Sequence, residues 1–73
     1  MIKSQDLAAD INALMLEIGA KLDASVAVVQ ENASKEEFAR YRDAVGKIMG
    51  DILLDVMNPL YELHPEIRPK ELS

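Results

Sequence analysis

The sequence predicts an all-α fold: an antiparallel two-helix hairpin with a short capping turn and a C-terminal tail, doubled into a dimeric four-helix bundle. Three observations predict it. Apolar residues recur at helical spacing through two long segments. A serine-led break separates the two. Stripes of that length are more than a chain of 73 residues can close against itself.

The chain is one domain, residues 1–73. Hydrophobic residues make up 49%, yet two tyrosines and one phenylalanine are the only aromatics. An aliphatic, alanine-rich core of this kind suits helix packing. A chain this short hides only about 60% of its unfolded surface, so small domains add disulfides, a metal or assembly. Cysteine is absent and there is one histidine, which leaves assembly.

The net charge is −5 and lysines and arginines form no cluster. A nucleic-acid surface needs a basic stripe, and an anionic membrane repels an acidic chain. Met1-Ile2-Lys3-Ser4-Gln5-Asp6 is too polar for a signal peptide. No apolar run reaches about 18 residues, the length of a membrane span. Lys70-Glu71-Leu72-Ser73 matches no retention or peroxisomal signal. The expectation is a cytoplasmic protein.

Helix 1 is expected over about residues 5–31, with Ser4 as its N-cap. Its heavy stripe is Leu7, Ile11, Leu14, Met15, Ile18, Leu22, Val26 and Val29, with Gly19 at the edge and Ser25 interrupting. Val26-Ala27-Val28-Val29 could form a strand, but nothing is present to pair with it. Asn32 suits a C-terminal cap. Ser34 followed by Glu37 is a capping-box pattern, the clearest local signal in the chain.

Helix 2 is expected over about residues 35–57. Phe38, Tyr41, Val45, Ile48, Met49, Ile52, Leu53 and Val56 form its apolar face. Glu36, Arg40, Asp43, Lys47 and Asp51 lie opposite, with acids four residues before bases. Arg42 falls at the apolar edge, where its stem can be buried and its head wet, or where it forms an interface ion pair. Leu54 falls among the charges. A residue before proline is pushed out of the α region, so the spacing ends helix 2 at Asn58-Pro59. Asn58 then caps a short turn over 59–64. In the tail, 65–73, Ile67 joins Leu60 and Leu63 to cover one end of the hairpin.

Helices of about 27 and 23 residues measure about 40 and 35 Å. A compact globule of this length is only about 30 Å across. Two such stripes leave a side open, and a second hairpin closes it. The expected interface residues are Ile11, Met15, Ile18, Leu22, Val29, Val45, Gly46, Met49, Gly50, Ile52 and Leu53.

The four-residue spacing of Gly46 and Gly50 permits a close helix contact or is incidental. Ala9, Ala13, Leu16, Ala20, Ala24 and Ala27 form a face that is either a second contact or exposed helix-forming alanine.

Motifs for chemistry are lacking. His64 has Tyr61 three residues before it, which fails the Glu-x-x-His spacing of di-metal bundles. Asp51 and Asp55 read as a solvated pair, the alternative being a weak divalent-cation site. Tyr61, Glu62, His64 and Glu66 are the single mixed polar cluster, which could in principle bind a metal or act as acid and base in a minimal enzyme subunit, although such a grouping arises readily by chance. No nucleophile has a base at a recognisable spacing, and no glycine-rich phosphate loop follows a strand. The expectation is a non-enzymatic, self-associating helical interaction module without metal or cofactor. The alternative is a small adaptor, chaperone or accessory subunit that accepts a helix of a different protein.

Overall fold

The structure, a computed structural model, describes residues 1–69. It is an all-helical hairpin. Helix α1 spans Gln5–Asn32, and its start is fixed by Ser4, whose hydroxyl accepts the Leu7 N–H at 3.2 Å. At its end Asn32 stays helical and its side-chain amide donates to the Val28 carbonyl at 2.8 Å. Ala33, in extended conformation, is the capping residue instead.

The turn to α2 (Lys35–Asp51) is built on a complete capping box. The Glu37 N–H donates to Ser34 Oγ at 3.1 Å, and the Ser34 N–H donates to Glu37 Oε1 at 3.0 Å. These bonds hold the Glu37 carboxyl below its ordinary pKa, the Ser34 backbone N–H contributing most and the hydroxyl second.

The expected break at Asn58-Pro59 does not occur. The backbone continues from α2 through a π-helical segment, Ile52–Met57, into α3 (Asn58–Leu63). Asn58 itself is α-helical, with φ −61° and ψ −45°. In α geometry the Pro59 ring would crowd the carbonyl of Asp55 and lack its own donor. The π segment widens this turn, and the Asn58 N–H reaches back five residues to the Leu53 carbonyl.

That extra residue also rotates the downstream helix by about 100°. In unbroken α phase Met57, Leu60, Tyr61 and His64 would swing to the flank of α2; instead all four are buried. His64 ends α3, and a 3-10 turn at Pro65–Ile67 comes next.

Seven residues are buried among those described: Ala8, Asn12, Val45, Met57, Leu60, Tyr61 and His64. All but Val45 lie at the terminal end, where α1, the π segment, α3 and the 3-10 turn converge. Leu60 and Ala8 are fully enclosed. As the sequence implied, Leu60 and the half-buried Ile67 cover this end, whereas Leu63 is exposed.

Along the rest of the hairpin the contact strip is narrower than the apolar stripes. On α1 it is centred on Ala8, Asn12 and Met15, so Leu7 and Leu14, expected inside, stay about half exposed. Ile48 and Leu53 on the second arm do likewise.

The hairpin measures 44 × 20 × 16 Å. Its radius of gyration is 14.5 Å against about 11 Å for a compact domain of this length. Its surface, 5414 Å², is about 900 Å² more than a folded monomer of its mass ordinarily exposes. Among the described residues no helix is long and apolar enough to cross a membrane.

Candidate partner interface

Two side chains set the vertical register of the hairpin. The Ser25 hydroxyl donates to the Leu22 carbonyl at 2.6 Å and lies 2.7 Å from the Tyr41 hydroxyl, which therefore donates to it. This bond brings residues 25 and 41 to within about one helical turn of the same height on two antiparallel helices, which the short link between Asn32 and Lys35 joins. Every further residue down α1 is matched by one further residue up α2.

The surplus apolar residues fall on two flanks. Leu7, Leu14 and Ile48 lie on the flank of the Ser25–Tyr41 bond. The opposite flank carries an apolar groove of about 470 Å³. Met15, Met49, Ile52 and Met57 form its inner wall. Gly19, Ala20, Gly50, Leu16, Asp23 and Leu53 complete its lining. Toward the turn a second groove of about 500 Å³ continues on the same flank, between Gln30, Lys35, Phe38, Ala39 and Arg42. Helical spacing puts Gly46 between the two, on the stripe that joins Ala39, Arg42, Gly50 and Leu53.

The glycines differ in what surrounds them. A Cβ on Gly19 would come within 4.0 Å of the Met49 methyl, an ordinary packing contact. Cβ atoms on Gly46 and Gly50 would meet nothing within 4 Å. The close contact that their spacing permits is not made within the chain. Each glycine costs about 1 kcal/mol in a helix interior, and no packing of this hairpin requires either.

Of the residues expected at an interface, Met15, Gly50, Met49, Ile52 and Leu53 line the groove, and Gly46 adjoins it. Val45 is buried between the helices, and Ile11, Ile18, Leu22 and Val29 are half-buried. Ala9 of the alanine face is half-buried, while Ala13, Ala20, Ala24 and Ala27 are exposed. Asp23 is not among the expected interface residues, and Leu16 is expected only as part of the alanine face, of which it and Ala20 line the groove. Their signal is spacing, since Leu16, Gly19 or Ala20, and Asp23 succeed one another at three or four residues.

Charge on this flank is sparse. Asp23 is the one charged residue lining the apolar groove, and among the described residues it makes no ion pair. Arg42 lays its guanidinium 5.4 Å from the Phe38 ring centroid, with Asp43 at 3.6 Å. Its head remains exposed, as its edge position implied.

In the Tyr61 to Glu66 cluster, Tyr61 and His64 are buried and hydrogen-bonded, and Glu62 and Glu66 are exposed. The Tyr61 hydroxyl donates to Asn12 Oδ1 at 2.5 Å, and the Asn12 amide donates to the Ile67 carbonyl at 3.4 Å. His64 Nε2 lies 2.7 Å from the Ile2 carbonyl, and Nδ1 lies 3.6 Å from Glu66. Burial raises the Tyr61 pKa, partly offset by the Arg68 charge. Glu62 is exposed, as are Asp51 and Asp55. Among the described residues no three His, Cys, Asp or Glu side chains converge as a metal site.

No protein-family model matches this sequence, and neither curated proteins nor solved structures give a match. The fold and the flanks define a class only: a helical hairpin with apolar residues exposed on both flanks, one of them grooved.

Proposed function

We propose that the protein is a non-enzymatic helical interaction module that self-associates, two hairpins completing one antiparallel four-helix bundle. The observation that carries this reading is the unclosed apolar side of an elongated hairpin. Its excess surface of about 900 Å² is close to the roughly 800 Å² that one partner contributes to a standard interface. The grooves, the half-exposed Leu16 and Leu53, and two glycines facing open space supply the shape.

Size exclusion with light scattering tests the proposal. The expected mass is about 16 kDa, twice the 8.1 kDa of one chain. A folded 8.1 kDa species throughout the micromolar range would remove it. A monomer that instead captures a helix of another protein would support the adaptor reading, since the same groove could hold either.

A further inference from the structure

We propose that two copies pair through the grooved flank with both turns at the same end, about a two-fold axis parallel to the helices. Asp23 of each copy then meets Arg42 of the other. The arrangement rests on the self-association proposed above and specifies its geometry.

The register of the hairpin leads to it. With residues 25 and 41 at about the same height, Asp23 lies within about one turn of Arg42 on the neighbouring helix. Both line the grooved flank, as do Leu16, Ala20 and Gly50, and helical spacing puts Gly46 on the same stripe as Arg42 and Gly50. A two-fold axis parallel to the helices keeps every height and lays α1 of one copy against α2 of the other. Heights on the two helices then match across the interface. Leu16 falls opposite Gly50, Ala20 opposite Gly46, and Asp23 opposite Arg42. Leu16 and Ala20 of α1 each meet a glycine whose own Cβ position is vacant for 4 Å around. That is how a protruding side chain seats in a hole on the facing helix.

Electrostatics favours the same choice. Closing an apolar groove over Asp23 desolvates a carboxylate, and an enclosed charge without a partner is strongly unfavourable. The guanidinium of Arg42 from the second copy answers it with a planar, two-pronged donor. Two-fold symmetry makes the pair twice. With turns at opposite ends, α1 would lie on α1 and α2 on α2, so Asp23 and Arg42 would not be matched.

Charge reversal tests the arrangement. Asp23→Arg and Arg42→Asp shift the net charge of −5 by two units in opposite directions. A general charge effect would therefore move dimer affinity in opposite senses. The pairing instead predicts that each weakens the dimer at least tenfold in sedimentation equilibrium. The chain carrying both, with the original net charge, should recover to within about threefold, and helicity by circular dichroism should stay unchanged throughout.

Cross-linking supplies a second reading, because the natural chain has no cysteine. Mixed A20C and G46C chains should form the mixed disulfide in preference to either self-linked product. Single reversals without effect, a doubly reversed chain that stays dissociated, or dominant G46C self-linkage would each overturn this arrangement while leaving self-association intact. An unsubstituted chain that is monomeric would overturn both.

Discussion

The two ends of the hairpin are held by different kinds of interaction. At the turn, Ser34 and Glu37 satisfy each other's backbone amides across three residues of sequence. At the terminal end, Tyr61 reaches Asn12 across 49 positions and His64 reaches Ile2 across 62, around the enclosed Leu60. The turn is set by local backbone accounting. The other end is set by burial and by polar side chains that find partners only after the chain has folded back. Local bonds position a turn without much core beneath them, while the distant bonds exist because six buried residues converge there.

The largest effect should come from the terminal end. Leu60→Ala removes its largest fully enclosed side chain and should destabilise the fold by about 3 kcal/mol, read from urea unfolding. A loss below about 1 kcal/mol would mean that this end is not the main core.

Tyr61→Phe deletes the hydroxyl and leaves Asn12 Oδ1 buried without that donor. Its expected cost is about 1 to 2 kcal/mol. The exchange protection of amides in the first turns of α1 should fall with it, although they lie far away in sequence.

Ser34→Ala at the turn should cost about 1 kcal/mol. Protection should be lost in the first turn of α2, and the terminal end should be unaffected. A global change in protection would show that the two ends are not separable.

The smallest effect is one of pH. Folding lowers the Glu37 pKa from its ordinary 4.5. The stabilisation from Glu37 is therefore complete above that value and disappears as pH falls through the lowered folded-state value. Carboxyl NMR titration should find Glu37 below its ordinary 4.5, and Ser34→Ala should bring it back up toward that value.

The difference between the ends also explains which parts of the fold are readable from sequence. Ser4, Ser34 and Glu37 announce helix starts because a cap needs only a few adjacent residues. The hairpin comes from two helical stripes and a short link. Pro59 misleads because the local rule ends a helix there, whereas burying Met57, Leu60, Tyr61 and His64 demands that it continue in a shifted phase. A π segment reconciles the two.

Asn12 escapes a sequence reading for a related reason. An asparagine in an apolar stripe is recognisable as core only once Tyr61 and Ile67 are seen beside it. The grooved flank is half legible. The spacing of Gly46 and Gly50 permits a close contact, but only the empty space around them shows that the hairpin does not make it. Leu16 and Asp23 need the helix-to-helix register to join them.

The proposed bundle connects the ends, since the flank it closes runs between them. Its most direct test is the thermal midpoint of the unsubstituted chain from about 5 µM to about 500 µM, monitored by circular dichroism. Folding coupled to association makes the midpoint rise with concentration. A steady rise is expected across that range, with the 8.1 kDa chain sedimenting as a species of about 16 kDa at its upper end. One midpoint at every concentration, with a mass of 8.1 kDa throughout, would rule the bundle out.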